Sequence, residues 1–472
     1  MSVLSRFNFP REYYLLNLIF MLERTAWFIL IIQIPIFIAQ KGEGGLGFSQ
    51  ADKGIIYLYW VILQNSLPLL TGRIIDNSNK KKSLLLLSCA IFFIAFLSIG
   101  LYHNLIGLLV GITLVSIGVS IFNPLMKGQI GNLIDKNNGS FGWGLHFWLY
   151  NLAIFAFGVP YSKYLREQGW DYVFVGAGLL YVLALVFSLL FKSETIVEKP
   201  KSSVKINLQE TITVFKRNYN FVLLISMSGF AVLFMQFYET LPNFIYDWSD
   251  TSNIVGSLKL NQVFTMDTWA GKGISFEWLY NINTGLTLLL LLPFSIYLKK
   301  YSIVNTLFVG VALVVIGFGL SIIYQNGAFL ILGFVVYTIG ELITNPKYTE
   351  YFDGISLKNE QSTHMGLLFI SNLIGYPIGA VLGGYMYGNY GEKAALAQQY
   401  LSTKFGQNIE IENAISVLKV NLGFSDIQVT NMLWSYYNPM IAFLPFLLIG
   451  ILSLGGILIY KNLIIRNKYI HK

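Results

Sequence analysis

Residues 13–39 read YYLLNLIFMLERTAWFILIIQIPIFIA. The run is apolar from end to end except for Asn17, the adjacent Glu23 and Arg24, Thr25 and Gln33. About 20 apolar helical residues span the hydrocarbon core of a bilayer. The stretch is therefore a membrane helix by length. It is too long for the apolar region of a secretory signal and has no small-residue cleavage site, so no cleavable leader is expected.

The same pattern recurs along the chain. Further apolar runs fall at about 54–71, 84–103, 106–131, 144–164 and 172–191, then at about 219–246, 278–298, 303–323, 327–348, 364–388 and 436–461. Gly and Pro interrupt them at Pro35, Pro68, Pro124, Pro160, Pro242, Pro346 and Pro377. Neighbouring membrane helices re-satisfy the backbone groups that such residues free. A β-barrel is excluded, because its strands alternate apolar and polar residues over about 10 positions. Composition agrees: 55% of the 472 residues are hydrophobic and 12% charged, with mean hydropathy +0.59. A soluble domain carries about 25% charged residues. The expected fold class is an all-α membrane protein of twelve transmembrane helices in two six-helix bundles. Residues 1–191 form the first bundle, 192–218 a polar linker, and 219–472 the second bundle.

Lys and Arg set the orientation, since short cytoplasmic loops carry the excess of positive charge. Both termini inside puts Arg6, Arg11, Arg73, Lys80, Lys81, Lys82, Lys136, the basic linker, Lys299, Lys300, Lys347, Lys358 and the basic C-terminus on one face. The net charge of +8 then reflects topology and anionic lipid, not nucleic acid. Two long loops fall outside, at 247–277 and 389–435. In the second, Ala394–Phe405 and Glu410–Leu422 read as short amphipathic helices. They form either a folded connector or a cap over an outward-facing cavity. The single cysteine, Cys89, lies in an apolar run and reads as an inert thiol.

Several motifs carry a resemblance. The second-to-third connection, Gly72-Arg-Ile-Ile-Asp76-Asn-Ser-Asn-Lys80-Lys81-Lys82, resembles the loop pattern of the major facilitator superfamily. The resemblance gives Gly72, Asp76 and Lys80 a gating or structural role; a plain basic loop is the alternative. The first span carries Pro10-Arg11 and then Glu23-Arg24. This resembles the proton-dependent oligopeptide transporter family, whose Glu-x-x-Glu-Arg motif here has Phe20 for its first Glu. Gly118…Asn123-Pro124…Gly131 is similar to that family's Gly…Lys-Pro-Asn…Gly stretch, with a lysine one turn later at Lys127. Phe147-Trp148-Leu149-Tyr150-Asn151 resembles its aromatic element, and Gly340-Glu341-Leu342…Pro346 its Gly-Glu-Leu…Pro element. The resemblance covers nearly the whole chain except the two long external loops.

An ionisable side chain in mid-membrane costs about 2.5–3.5 kcal/mol on insertion scales, so it is read as functional by default. Glu23, Arg24, Lys127, Glu239 and Glu341 lie in spans one, four, seven and ten, which line the central path of a major-facilitator fold. A carboxylate beside a cation exchanges a proton as burial and access change. Glu23, Arg24 and Glu341 are therefore the expected proton-coupling residues. Arg24, Asn123, Lys127, Tyr150, Glu239 and Glu341 are the expected substrate-binding residues. Positive partners for an anionic group lie in the first half and acidic partners for an amine in the second. The bland alternatives are a static Glu23–Arg24 pair, a snorkelling Lys127, a solvated Glu239 and an Asn123 that only satisfies carbonyls near Pro124. His146 reads as a buried, hydrogen-bonded histidine, with a proton relay as the alternative. No Cys/His metal spacing, nucleophile elbow or phosphate-binding loop is present, so no cofactor, metal, enzyme activity or ATP drive is expected.

The reading is a proton-coupled symporter of di- or tripeptides, or peptide-like solutes, working by alternating access. Its partners are a small-molecule substrate, protons and the lipid bilayer, and a monomer is expected. It would sit in a bacterial inner membrane with both termini cytoplasmic. A major-facilitator carrier of another zwitterion or organic anion, in either direction, is the alternative. A non-transporting membrane receptor or scaffold is the remote one.

Overall fold

The computed structural model describes residues 9–76, 78–134, 139–192, 219–354 and 361–470. Most of the expected linker, 193–218, and Lys136 and Lys358 lie outside these residues. In chain order the helices are α1 (Arg11–Ala39), α2 (Gln50–Asp76), α3 (Lys81–Leu101), α4 (Leu105–Leu133), α5 (Gly139–Ala153), α6 (Val159–Gln168) and α7 (Trp170–Leu190). Then come α8 (Asn220–Glu239), α9 (Leu241–Trp248), α10 (Ser252–Leu258), α11 (Phe276–Tyr297), α12 (Ile303–Ile322), α13 (Gly327–Gly354) and α14 (Gln361–Tyr390). The last are α15 (Lys393–Phe405), α16 (Ala414–Leu422), α17 (Asp426–Tyr437) and α18 (Leu444–Ile470).

Eight of the described helical segments are long and apolar enough to cross a bilayer: α1, α3, α4, α7, α8, α12, most of α13, and Pro439–Ile465. Four more long segments sit at the other expected spans: α2, α5 with α6, α11 and α14. α2 is more polar because Asp52, Lys53, Arg73 and Asp76 fall at its ends. α5 runs into α6 through a π-turn at Ile154–Gly158, which shifts the helix register by one residue. The chain is a helical, multi-pass membrane protein, as its sequence implies.

The chain forms two compact units. The first is Met1–Ile34 with Tyr59–Leu208; the second is Pro35–Leu58 with Gln209–Lys472. In the first, α3 packs on α4 and α7. Phe92 stacks on Tyr181 at 4.4 Å and meets Phe122 edge-on at 5.9 Å. Gln33 donates to Ser162 Oγ at 2.9 Å, tying α1 to α6.

In the second unit, α8 packs on α14 and α18, and α12 on α13. Small residues let these backbones approach, as membrane helices require when lipid offers no hydrophobic drive. A Cβ on Gly340 would lie 2.6 Å from Gly310 O. The segment Pro35–Leu58 belongs here through similar contacts: a Cβ on Gly54 would lie 2.5 Å from Ala380 O and 3.1 Å from Gly384 Cα. α2 thus begins in close backbone contact with α14.

Both long loops are folded. Loop 247–277 holds α10 and a hairpin, Thr265–Thr268 antiparallel to Gly271–Ile274, which the sequence reading did not foresee. Loop 389–435 holds helices where two were foreseen, at Lys393–Phe405 and Ala414–Leu422, the second starting four residues after the expected Glu410. A third, α17, starts on a capping box between Ser425 and Gln428. The loops meet where Trp248 donates to Gly391 O at 2.7 Å and packs against Trp434 at 5.7 Å.

Gly54→Val should cost roughly 1–3 kcal/mol by overpacking against Ala380 and Gly384. Thermal unfolding of the detergent-purified protein reads this as a lower midpoint, and an unchanged midpoint would contradict the close α2–α14 contact.

Candidate functional site

In the first unit the site is built on one turn of α1. Glu23 is fully buried, and its two carboxylate oxygens accept from Arg24 Nε and Nη2, both at 2.5 Å. Such a two-point pair keeps a buried carboxylate from being left uncompensated. Arg24 is 19% exposed, and its guanidinium lies 5.5 Å from the Phe20 ring and 5.4 Å from the Trp27 ring. Both distances suit cation–π attraction.

Phe20 stands where the resemblance would place the first Glu of the Glu-x-x-Glu-Arg motif. Its ring packs against His146 at 4.6 Å, Tyr150 at 5.6 Å and Phe122 at 6.0 Å. An aromatic patch therefore joins α1, α4 and α5. His146 Nδ1 lies 2.7 Å from Asn17 Oδ1, and Tyr13 donates to Gly142 O at 2.6 Å. These contacts fix α5 against α1 and make His146 a buried, hydrogen-bonded ring.

Lys127 is exposed on α4 and lies within electrostatic range of Glu23, Arg24 and His146. Tyr150 is half-buried and within range of Arg24. Asn123 is half-buried, and its Oδ1 has no hydrogen-bond partner among the described residues. The structure thus gathers Glu23, Arg24, Lys127 and Tyr150 around one aromatic patch. Two cations against one carboxylate leave the group formally positive by one charge.

The second unit separates its two expected residues. Glu341 is partly buried on α13. Its Oε2 accepts from Asn283 at 2.9 Å and its Oε1 lies 3.5 Å from Asn345 Nδ2. The hydroxyls of Tyr238, Tyr337 and Tyr376 lie within its electrostatic range. No Lys or Arg pairs with it among the described residues.

Glu239 instead ends α8 with no exposure at all. Lys53 Nζ lies 3.3 Å from its Oε1 and donates to its backbone O at 3.0 Å, while Thr240 donates to its Oε2 at 3.0 Å. Lys53 is also fully buried. Sequence reasoning missed Lys53. Its only signal was a lone cation between Asp52 and an apolar run, which reads as a loop charge.

Lys80 is exposed just before α3. Gly72 and Asp76 fall in the last turns of α2, and their side chains lie outside the described set.

Residues 16–271, more than half of the chain, match the family model described as Major Facilitator Superfamily. The chain belongs to the major facilitator superfamily. A curated relative is the uncharacterized MFS-type transporter YqjV of Bacillus subtilis (strain 168), 21% identical over 316 residues, 66% of this chain and 72% of that protein. Among solved structures, a mutant of the peptide transporter POT in complex with alafosfalin has TM-score 0.68 at 14% identity, covering 97% of this chain and 96% of that one. A POT family transporter in complex with 5-aminolevulinic acid has TM-score 0.59 at 17% identity, covering 92% and 97%. The nucleoside transporter NupG has TM-score 0.62 at 13% identity, covering 90% and 99%. These likenesses show a shared fold. The chain is a membrane transporter of this superfamily, not an enzyme.

Removing one partner of a buried ion pair costs about 3–5 kcal/mol, whereas replacing both by apolar groups costs far less. Lys53→Met and Glu239→Leu should each lower the unfolding midpoint strongly, and the double variant should recover much of the loss. Additivity within about 0.5 kcal/mol would remove the pair from the account.

Proposed function

We propose that this transporter is a proton-coupled symporter for di- or tripeptides or similar small zwitterions in a bacterial inner membrane. It acts as a monomer with both termini cytoplasmic, the side that collects most Lys and Arg. The observation that carries the coupling is the Glu23–Arg24 pair: a fully buried carboxylate held by its neighbour, the two charges between Tyr13 and Ala39 of α1. Moving such a pair between a dry and a wet setting changes which groups hold a proton. Arg24 and Lys127, with Asn123 and Tyr150 beside them, are assigned to a negatively charged solute group. Glu341, which has amide and phenol neighbours but no cation among the described residues, is assigned to an ammonium and to coupling.

Glu239 takes a different part. Its pairing with Lys53 closes Pro35–Leu58 onto α8 and α14, and alternating access requires that contact to open and re-form. Gly72, Asp76 and Lys80 belong to the opposite, inner gate.

A carrier of another zwitterion or organic anion is the second reading. It is favoured by Phe20, whose ring fills the place of a coupling carboxylate with aromatic packing.

Uptake into proteoliposomes under an imposed pH gradient, with labelled di- and tripeptides, tests the proposal. Peptides should accumulate only when the outside is acidic. If none accumulates or competes, the peptide assignment fails. Glu23→Gln should abolish gradient-driven uptake and leave counterflow exchange measurable; equal accumulation by variant and parent would remove Glu23 from coupling.

A further inference from the structure

Beyond the ends of its membrane helices, the second unit carries a buried set of charges that the roles above leave unused. α14 ends at Tyr390, and the chain turns so that the N–H groups of Gly391 and Glu392 both donate to Tyr387 O at 2.8 Å. The turn sets Glu392 just before α15 with 8% exposure. Asp247, near the end of α9, accepts from Tyr387 OH at 2.7 Å and from Lys393 N–H at 3.3 Å. The Lys393 side chain is buried between Trp248 and Trp269, its Nζ 5.4 Å and 5.0 Å from the two rings and 3.3 Å from Thr430 Oγ1.

The set reaches the Lys53–Glu239 pair. Lys53 lies in the field of Glu239, Glu392 and Asp247 together. Glu392 in turn faces Asp247, Lys41 and Lys53, with a hydrogen bond from Gln50 on α2 and Tyr387 close by. Gln50 is 2% exposed, and its Oε1 has no hydrogen-bond partner among the described residues; neither has Glu239 Oε1. Glu239 Oε1 keeps Lys53 Nζ at 3.3 Å as its ion-pair partner, so Gln50 Oε1 is the unsatisfied polar atom of this buried charged cluster.

Burial and then the repulsion of Asp247 push the Glu392 carboxyl up to about 7, against Lys41, Lys53 and Gln50, which pull it down. Burial also raises Asp247 against Lys393 and Tyr387, and brings Lys393 down to about 8 against Asp247 and Asp426. Glu392 is therefore the carboxyl of this set poised to change charge near neutrality.

We propose that Glu392 is a proton-accepting residue of the transport cycle, taking a proton from the side that faces the two long loops and so loosening Lys53 from Glu239. The proposal rests on the proton-coupled reading above and adds the group where the outer proton first acts. Ionised, Glu392 adds to the attraction that keeps Lys53 charged beside Glu239. Protonated by outer water, it withdraws that attraction, and the pair separates more readily. Acid outside then favours opening, the direction a proton-driven importer needs.

The test is uptake by oriented proteoliposomes with inner pH fixed and outer pH stepped through about 7. Wild-type uptake should fall as outer pH rises through that value. Glu392→Gln, fixed in the neutral form, should lose the step at this value and keep only the slope set by the gradient. Asp247→Asn removes the like charge that raises Glu392, so its midpoint should move to lower pH. A Glu392→Gln profile that matches wild type overturns the proposal, as does an unmoved midpoint in Asp247→Asn. Should Glu392→Gln fail to assemble, Asp247→Asn decides. Infrared titration of the purified wild type reads the group without transport: no carboxylic-acid band with a midpoint near 7 overturns the proposal. If wild-type uptake ignores the gradient altogether, the proton-coupled reading itself has failed. If the gradient drives wild type and Glu392→Gln alike, only this inference has.

Discussion

The Lys53–Glu239 ion pair joins the start of α2 to the end of α8, with neither side chain exposed to solvent. Stripping two such charges of water costs several kcal/mol each, and their attraction repays this only if both stay in place. The pair is therefore a poor device for adding stability and a strong device for all-or-none contact. Beside it the chain places glycines, Gly54 against Gly384, so that the two helix backbones come into close contact next to the pair. Lys53 and Gly54 both lie in Pro35–Leu58, the segment that groups with the second unit, while the rest of α1 and α2 groups with the first.

The other intramembrane charges divide by how they are neutralised. Glu23 has its counter-ion built in at the next residue, so its charge is balanced without any solute. Glu341 has amide donors and tyrosine hydroxyls around it but no cation among the described residues. A carboxylate of that kind is costly when ionised in an apolar setting, and a proton or an ammonium lowers the cost. The sequence shows the same contrast, Glu23 beside Arg24 and Glu341 with no adjacent cation, and the proposed function gives the two glutamates different work on that ground.

Much of this was legible in the sequence, for physical reasons that also mark its limits. Membrane helices announce themselves by length and composition, and charges within them stand out because lipid makes them expensive. Glu23, Arg24 and Glu341 are visible in that way. Lys53 is not, because it sits at a span's edge beside Asp52, and its partner is 186 residues away in the chain. Glu239 looks like a solvated end-of-helix acid until that partner is known. The hairpin at Thr265–Ile274 is too short to show a strand alternation, and α17 was hidden because its last two residues, Tyr436 and Tyr437, fall in the apolar run read as the last span. Phe20 reads as a missing carboxylate in the sequence; in the structure it is the centre of an aromatic patch.

On the proposed function, the start of α2 leaves α14 during each transport cycle. A Cβ on Gly388 would lie 3.2 Å from Gln50 Cβ, close to the separation of a disulfide. In a background where the buried Cys89 is replaced by Ser, Gln50→Cys with Gly388→Cys should cross-link on mild oxidation. Substrate uptake should then stop and return when the bridge is reduced. Undiminished uptake by the fully cross-linked carrier would contradict the claim that this contact opens.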